Sequence, residues 1–495
     1  MPVIKTPGVY IVEKPALPNS VVEVATAVPA FIGYTQVADN KGTSLHRTPW
    51  RISSMAEFQS YFGGPPDASF RITDIAASAA TPALVQAFSL KGKNYVVTPT
   101  QSLSQQFLLY YSILLFFQNG GGPCYIVSVG SYADSIDEAT LMGGIDLLLT
   151  EQEPTMVVLP DAVHLATEAS CIKVQQAALA HCGEKTKSRV AILDVYDGYR
   201  DRKDQAGDCI TQFRNDLGIN FLSYAAAYYP WLATSILSEK DLNYKNLVAK
   251  DLTDLLTAEA ILPVDLIAEV ATPGKYTLES LNKTLLSASP VFAQVMSEVK
   301  RQLNVLPPSA AIAGVYSMVD GTKGVWKAPA NVSLNSVVAP LVSISGYEQE
   351  DLNVDVQGKS VNVIRSFIDE GVLVWGARTL DGNSQNLRYI NVRRTMIMLE
   401  QSIKLATKAY VFENNVPTTW VTIKSIIRNF LTGIWKRGGL AGATSDDAFG
   451  VFCGLGETMT ADDILSGILR VTVLVAITRP AEFSEITFQQ QMPNS

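Results

Sequence analysis

Long and short apolar runs alternate along residues 104–195, and this alternation constrains the fold more than any other feature of the sequence. Long runs at this spacing predict helices, and short runs predict buried strands. The predicted helices cover residues 107–117, 139–149 and 168–180, and the predicted strands cover residues 124–129, 156–161 and 189–195. Strands that alternate with helices in this way indicate an α/β layer with parallel strand pairs.

Regions on both sides of this segment have weaker patterns. Residues 31–34 look like the first strand of a compact domain. Residues 39–104 mix turn signals with short apolar runs and are interpreted as a peripheral insertion. Residues 233–306 are mostly helical and charged, which indicates a second insertion.

The C-terminal part has the clearest helical periodicity. Apolar residues three and four positions apart predict two amphipathic helices, the second closed by Gly438 and Gly439. Thr460 and Asp463 have the spacing of a capping box. Residues 471–477 and 483–489 alternate as strands do. The apolar stripes of the two helices are Val392, Met396, Leu399, Ile403, Ala406 and Tyr410, and Trp420, Ile423, Ile427, Phe430 and Ile434.

The N-terminal residues predict an extended arm. Four prolines, at positions 2, 7, 15 and 18, exclude a helix there. Two β-rich stretches follow the Pro-Gly signals, at residues 9–12 and 21–28.

Composition narrows the function classes. The 495-residue chain is 47% apolar and 17% charged, which excludes a disordered protein. Its net charge of −8 argues against general nucleic-acid binding. Five widely spaced cysteines indicate reduced thiols, and the longest apolar block, residues 107–117, is too short to span a bilayer. We therefore expect a chain made and folded in the cytosol.

No catalytic, cofactor-binding or metal site is expected. Gly358-Lys359-Ser360 resembles the end of a phosphate-binding loop, but Asn353 stands where its first glycine belongs. The three histidines have no metal-ligand spacing. His181 and Cys182 are neighbours, but adjacent helical residues diverge by about 100°.

Charge is unevenly distributed. Residues 391–437 contain only two acids, Glu400 and Glu413, and carry a net charge of +6. This predicts either a solvated helix face or a basic surface that docks an acidic partner. Lys424, Arg428 and Lys436 lie within a sector of about 120°, away from the apolar stripe. The eight basic residues are Arg393, Arg394, Lys404, Lys408, Lys424, Arg428, Lys436 and Arg437.

Ordered sequence blocks over most of the chain resemble contractile tail sheath proteins of myophages, R-type pyocins and extracellular contractile injection systems. The likeness departs at residues 367–370 and in the two insertions. The blocks that carry it lie at residues 7–10, 30–34, 116–121, 228–231, 313–316, 324–331, 362–365, 374–380, 388–394, 400–403, 411–413 and 480–483.

The resemblance implies a multi-domain α/β fold with mixed α+β character. Residues 1–30 would be an N-terminal arm that joins a discontinuous inner domain, completed by residues 331–495 with a terminal strand-exchange arm. Residues 31–330 would form the outer α/β domain or domains, with insertions at about 39–104 and 233–306.

The resemblance also implies a structural subunit and not an enzyme. Copies would polymerise as a helical sheath around an inner tube protein, with baseplate and terminator or cap proteins at the ends. Contraction from a metastable extended state would drive the tube through a target envelope. No cofactor, direct nucleic-acid contact or stable membrane insertion is implied. Assembly would take place in the bacterial cytoplasm, with later release outside the cell left open.

Specific residues follow from this hypothesis. Lys424, Arg428 and Lys436 are the tube-contact candidates. Terminal strands would pair with neighbouring copies, because an added strand supplies main-chain hydrogen bonds without needing a pocket. The strand-exchange candidates are Val9, Tyr10, Ile11, Val12, Phe483, Ile486 and Phe488.

Three alternatives stay open at this point. The α/β alternation also fits an enzyme with an unrecognised site. Another structural component, such as a baseplate protein, is a second possibility. Within the sheath hypothesis, the sequence does not separate a phage tail from a pyocin or an extracellular injection system.

Overall fold

The computed structural model of this chain describes residues 21–76 and 84–483. These residues form two compact units, which we call the large unit and the small unit. The large unit contains the described residues of 25–397 and 479–483, and the small unit contains residues 21–24 and 398–478. The chain therefore passes between the units at three points.

The strands within the described residues are β1 (Pro29–Thr35), β2 (Asp39–Asn40), β3 (Thr43–Ser44), β4 (Trp50–Ile52), β5 (Phe70–Ile75), β6 (Phe88–Leu90), β7 (Lys93–Pro99), β8 (Cys124–Ser131), β9 (Met156–Val158), β10 (Val190–Asp194), β11 (Ala225–Tyr229), β12 (Leu232–Thr234), β13 (Val305–Leu306), β14 (Val332–Ser333), β15 (Val337–Pro340), β16 (Val361–Phe367), β17 (Gly371–Val374), β18 (Phe449–Phe452) and β19 (Thr472–Val475).

The α-helices of the same residues are α1 (Met55–Phe62), α2 (Leu109–Gln118), α3 (Glu138–Leu147), α4 (Glu168–Ala180), α5 (Cys209–Asp216), α6 (Ala249–Glu259), α7 (Val264–Ala271), α8 (Leu278–Ala288), α9 (Pro290–Leu303), α10 (Ser309–Lys323), α11 (Gly346–Asn353), α12 (Ile390–Thr407), α13 (Pro417–Lys436), α14 (Ser445–Ala448) and α15 (Ala461–Leu465).

A nine-stranded sheet forms the centre of the large unit, in the order β14-β17-β16-β11-β10-β9-β1-β8-β4. The six strands from β16 to β8 are mutually parallel, and β17, β14 and β4 add antiparallel edges. Every residue of β1, β9, β10 and β11 is buried. A parallel sheet buried in this way needs helices on both faces, and α2 packs against α10 while α3 packs against α4.

The alternation predicted for residues 104–195 is confirmed, with small changes at the ends of the elements. The structure has α2, β8, α3, β9, α4 and β10 in this order. The predicted strand at residues 156–161 stops at Val158, and a 3-10 helix runs from Pro160 to His164. Proline lacks the N–H that a central strand requires.

The two predicted insertions are partly corrected. Residues 39–62 are not peripheral, because β4 pairs with β8 and Phe58 and Phe62 lie in the main core. The remainder of the first insertion and most of the second share one separate core, in which β5 and β7 contact α6 and α9. Two distant segments therefore build one subdomain, which we call the insertion subdomain.

The boundary expected at residue 331 differs from the division of the structure. Residues 361–374 complete the central sheet, where β16 pairs with β11, so they belong to the large unit. The β-rich stretch predicted at residues 21–28 contains no strand.

Helix α13 and a two-stranded sheet of β18 and β19 form the main part of the small unit. The helix buries Trp420, Ile423, Ile427 and Ile434 as expected. Phe430 is only half-buried, and Ile426 and Leu431 are buried in addition. The predicted capping box forms, since Thr460 and Asp463 cap α15.

A large-to-small substitution tests the separate core of the insertion subdomain. Phe292 is fully buried there, whereas Phe213 is fully buried in the main core. We expect Phe292→Ala to cost about 3–5 kcal/mol of stability and to deprotect residues 238–304 in hydrogen exchange. Phe213→Ala is the matched control and should deprotect residues 109–235 instead. Equal deprotection of both regions by Phe292→Ala would contradict a separate core.

Candidate functional site

The carboxyl edge of the parallel sheet is the first place to look for a ligand site. In doubly wound sheets ligands bind where the chain reverses its direction of progress across the sheet. Here the reversal lies at β1, because β8 adds on one side of it and β9 on the other. Any crevice of this type would therefore open next to the ends of β1 and β9.

The side chain of Asp161 occupies that position. One carboxylate oxygen accepts hydrogen bonds from the backbone N–H groups of Leu108 (2.6 Å) and Leu109 (3.1 Å), at the start of α2. The other oxygen accepts from Tyr34 N–H at 2.9 Å. The free N–H groups of a helix N-terminus often bind phosphate, and here an internal carboxylate occupies them.

Close approach of the backbone makes this arrangement possible. A Cβ atom at Gly33 would come within 2.4 Å of the Asp161 carboxylate. Burial, opposed by the three backbone hydrogen bonds, raises the pKa of Asp161 to about 6. The place where the order of the strands reverses, next to the ends of β1 and β9, is therefore occupied by the side chain of Asp161.

A second buried carboxylate closes the same edge one strand further on. Asp194, at the end of β10, accepts from the N–H of Ser309 at 2.8 Å and from its hydroxyl. Ser309 begins α10, so this carboxylate also caps a helix. Burial is the main cause that raises the pKa of Asp194 to about 7.

The segment that resembles a phosphate-binding loop has a structural role. Lys359 is buried, and its ammonium donates to the carbonyl oxygen of Arg214. The Ser360 hydroxyl donates to the carbonyl of Asn353 at 2.7 Å. Neither group points to a place where a phosphate could bind.

His181 and Cys182 are both buried. His181 Nε2 lies 2.8 Å from a guanidinium nitrogen of Arg189. Burial lowers the pKa of His181 to about 4 and raises that of Cys182 to about 12. A thiol that keeps its proton at neutral pH is a poor nucleophile.

An open groove of about 250 Å³ lies on the large unit, between the loop after β10 and α11. Its apolar floor includes Val342, Ile344 and Leu352. The charges at its rim neutralise one another, since Arg202 pairs with Asp208 at 2.8 Å. Lys203 and Glu348 also form an ion pair. The remaining charged residue of the lining, Asp201, accepts a hydrogen bond from the Lys203 N–H at 2.8 Å.

Within the described ranges, 21–76 and 84–483, no group of three or more metal-ligating side chains comes together. No helix of these ranges has both the length and the apolar character that a membrane crossing needs.

The basic helix α13 places its three candidate residues in different electrostatic settings. Lys424 is half-buried and pairs with Glu457 at 3.4 Å. Arg428 is exposed and pairs with Asp446 at 3.2 Å. Lys436 is exposed and has no partner among the described residues. Of the three, Lys436 carries the charge most available to another molecule.

The positive surface expected over residues 391–437 is smaller than the sequence count. Arg393 and Arg394 are buried and stack over the rings of Tyr224 and Tyr316. They belong to the interior, because a guanidinium packs well on an aromatic face. Besides Lys436, the cations of the small unit without a partner among the described residues are Lys404 and Lys408, both exposed.

Most strand-exchange candidates lie outside the described residues. These are Val9, Tyr10, Ile11, Val12, Ile486 and Phe488. Phe483 is described; it lies in no strand, and 75% of its surface is exposed.

The small unit contains a sheet that is open to further strands. β18 and β19 pair only with each other among the described residues. Leu474 is 59% exposed and Phe452 38% exposed on this hairpin. A two-stranded sheet is marginal by itself and gains stability from a third strand.

Two arginine–carboxylate clusters in the large unit were missed by sequence reasoning. Arg378 binds Glu482 through two hydrogen bonds, of 2.8 Å and 2.7 Å. Arg394 binds Asp320 in the same bidentate way. The only sequence signal was that Arg378, Arg394 and Glu482 each fall in a block that resembles sheath proteins.

Sequence comparison matches residues 383–491 to the phage tail sheath C-terminal domain family. The chain is 26% identical over 152 residues to the tail sheath protein of Salmonella phage ViI, which covers 30% of this chain and 24% of that protein. It is 25% identical over 178 residues to the tail sheath protein of Vibrio phage KVP40. This match covers 34% of this chain and 25% of that protein. The curated relatives are thus matched over 24% to 37% of their own length.

The fold comparison extends over the whole chain. The sheath complex of the PVC extracellular contractile injection system, in its contracted state, is 26% identical, with a TM-score of 0.62 and 99% of each chain covered. The contracted helical sheath of the anti-feeding prophage is 28% identical, with a TM-score of 0.62 and coverage of 99% and 100%. Over almost its entire length, this chain is similar to contractile tail sheath proteins. The resemblance predicted from the ordered sequence blocks is confirmed.

The pH dependence of stability tests the role of Asp161. Its pKa is about 6 in the folded state against an ordinary 3.8. Between pH 4 and 6 the folded state therefore keeps a proton that the unfolded chain releases, so the contribution of Asp161 to the free energy of unfolding falls as pH rises. In urea unfolding over this pH range, we expect the free energy of unfolding of Asp161→Asn to have a more positive slope against pH than that of the wild type. Identical slopes would show that Asp161 titrates normally.

Proposed function

We propose that this protein is the building block of a contractile sheath. Copies polymerise as a helical cylinder around an inner tube, and the cylinder contracts from a metastable extended state to drive the tube through a target envelope. The observation that carries the proposal is the match to two contracted sheaths over almost the entire chain. The proposed role is structural and involves no catalysis and no cofactor.

The small unit supports a specific mode of assembly. In this proposal it belongs to the inner domain, and terminal segments of neighbouring copies add strands to the open edges of β18 and β19. Strand addition supplies main-chain hydrogen bonds and protects edges that otherwise invite aggregation. A contact between two different surfaces of the same chain does not close on itself, so it generates a filament.

Stored conformational energy would drive contraction. The extended cylinder is kinetically trapped, and the contracted one buries more interface. At about 25 cal/mol per Å², a further 300 Å² per subunit contributes roughly 7 kcal/mol before ordering costs. Many subunits acting together can then move a tube without nucleotide hydrolysis.

The proposed partners are copies of the same chain, an inner tube protein, and baseplate and terminator or cap proteins. Direct nucleic-acid binding and stable membrane insertion have no part in this account. The particle is a phage tail or a phage-tail-like structure. We place its assembly in the bacterial cytoplasm.

A position next to the baseplate is a second candidate. The chain also matches a chain of the anti-feeding prophage baseplate structure, with 27% identity, a TM-score of 0.60 and coverage of 99% and 100%. A subunit restricted to that end would form short rings on a baseplate and not long cylinders. The length of the assemblies in electron micrographs separates the two candidates.

Truncation tests the exchange of terminal strands. Removal of residues 1–18 or of residues 484–495 should leave soluble monomers or unlinked rings, because the linking strands are lost. Electron microscopy and sedimentation of each truncated chain, expressed together with its inner tube, provide the measurement. Normal cylinders that contract from either truncation would rule out strand exchange.

Charge reversal tests the tube contact of α13. We expect Lys436→Glu to reduce the amount of sheath on tubes more than Lys424→Glu or Arg428→Glu, because Lys436 has no partner among the described residues while the others are paired within the unit. Co-sedimentation with tubes measures the effect. Lys283→Glu reverses an exposed lysine of the insertion subdomain and is the control. If a variant with all three substitutions, Lys424→Glu, Arg428→Glu and Lys436→Glu, assembles on tubes as the wild type does, α13 does not contact the tube.

A further inference from the structure

Glu482 lies at the point where the C-terminal segment leaves the described part of the large unit. Its carboxylate takes four hydrogen bonds from three different side chains. Arg378 supplies two, at 2.8 Å and 2.7 Å, and Asn353 and Tyr389 supply one each, both at 2.9 Å. A bidentate, charge-assisted pair of this kind fixes both distance and direction.

The partners of Glu482 are themselves fixed to the main elements of the large unit. The Arg378 backbone exchanges two hydrogen bonds with the side chain of Asn362 on β16, at 2.7 Å and 2.8 Å. The Arg378 guanidinium also donates to the carbonyl of Asn353, the last residue of α11. Glu482 is thereby connected to the central sheet and to a helix.

The residues around Glu482 contribute little apolar packing. Arg479, Ala481 and Phe483 are exposed, and Pro480 is only half-buried. The Glu482 side chain, by contrast, is 18% exposed and that of Arg378 is 4% exposed. The segment is therefore held mainly by this one ion pair and not by a hydrophobic contact.

A similar cluster holds the chain near its other end. Thr26 donates its hydroxyl to Asp320 at 2.6 Å and accepts a hydrogen bond on its carbonyl from Arg394 at 2.9 Å. Arg394 and Asp320 form a bidentate pair with side chains 4% and 3% exposed. Both roots, at Thr26 and Glu482, thus end on a buried arginine–carboxylate pair.

We propose that Glu482 is the positioning residue of the C-terminal segment, and that Thr26 has the same task for the N-terminal one. Glu482 fixes the root from which the C-terminal strand departs toward a neighbouring copy. Thr26 fixes the chain just before residues 21–24 enter the small unit, where Glu23 pairs with Arg437 and the Val24 N–H donates to the Ser402 hydroxyl. Tension on residues 484–495 then passes through Glu482 and Arg378 into β16 and α11. This inference rests on the strand exchange of the proposed function. It adds the residues that connect the exchanged strands to the subunit body.

Buried ion pairs suit this purpose. Such a pair adds little net stability compared with a well-packed apolar group, but it demands one geometry. Loss of the Glu482 charge leaves the buried Arg378 guanidinium without its counter-ion. We therefore expect it to lower the stability as well as to free the direction of the segment.

Glu482→Gln is the direct test, because glutamine keeps the shape but removes the charge and one acceptor oxygen. All five native cysteines are buried, so an Ala481→Cys substitution, at an exposed position next to Glu482, provides one accessible thiol for a spin label. In the monomer we expect higher label mobility with Glu482→Gln than without it, together with a lower melting temperature, because the buried Arg378 guanidinium loses its counter-ion. In the presence of inner tubes, the cylinder yield should fall about tenfold, as expected for the loss of a hydrogen bond to a charged group.

Asp74→Asn is the matched control. It also neutralises one carboxylate, but the ion pair that it removes, with Lys93, is exposed and distant in sequence from Glu482. It should change neither label mobility nor cylinder yield. Thr26→Val tests the N-terminal root and should lower the cylinder yield by a smaller factor, since only one hydrogen bond is lost.

The outcomes separate this inference from the proposed function. If deletion of residues 484–495 leaves normal cylinders, strand exchange is wrong and Glu482 has no strand to position. If the deletion abolishes cylinders but Glu482→Gln behaves as wild type in mobility and yield, the positioning role is overturned. If Glu482→Gln does not fold, Tyr389→Phe removes one of the four hydrogen bonds without a charge change. Wild-type mobility and yield in that variant would overturn the proposal equally.

Discussion

The buried parallel sheet of the large unit is the constraint on which the rest of the structure depends. Its inner strands have no polar face, so helices must cover both sides. Its carboxyl edge, where such sheets usually bind ligands, is closed by Asp161 and Asp194, each of which caps a helix. The same chemistry that could hold a phosphate instead ties α2 and α10 to the sheet.

In this account the terminal segments of the chain connect the subunits of the assembly. The small unit offers a two-stranded sheet with unpaired edges among the described residues, and the large unit holds the roots of both terminal segments in buried arginine–carboxylate clusters. Apolar packing builds each unit. Backbone pairing would connect one copy to the next, and buried ion pairs within each copy would fix where the terminal segments begin. Directional interactions suit that second task, because a filament needs a defined geometry at every contact.

Local patterns predicted the elements well and the long-range relations poorly. Helix α4 and strand β8 follow from runs of apolar residues, which are local properties. The joint core of β5, β7, α6 and α9 could not be predicted, because it brings together segments more than 100 residues apart. The same holds for Arg394, which counted as surface charge in the sequence but pairs with Asp320 inside the large unit. For α13 the sequence located the basic residues, but it could not show that Glu457 and Asp446 neutralise two of them.

The most direct test of the central claim is electron microscopy of the purified full-length chain, with and without its inner tube protein. The account predicts striated hollow cylinders, built from this chain alone or around the tube. A chain that stays monomeric under all conditions, including the presence of tubes, would contradict it.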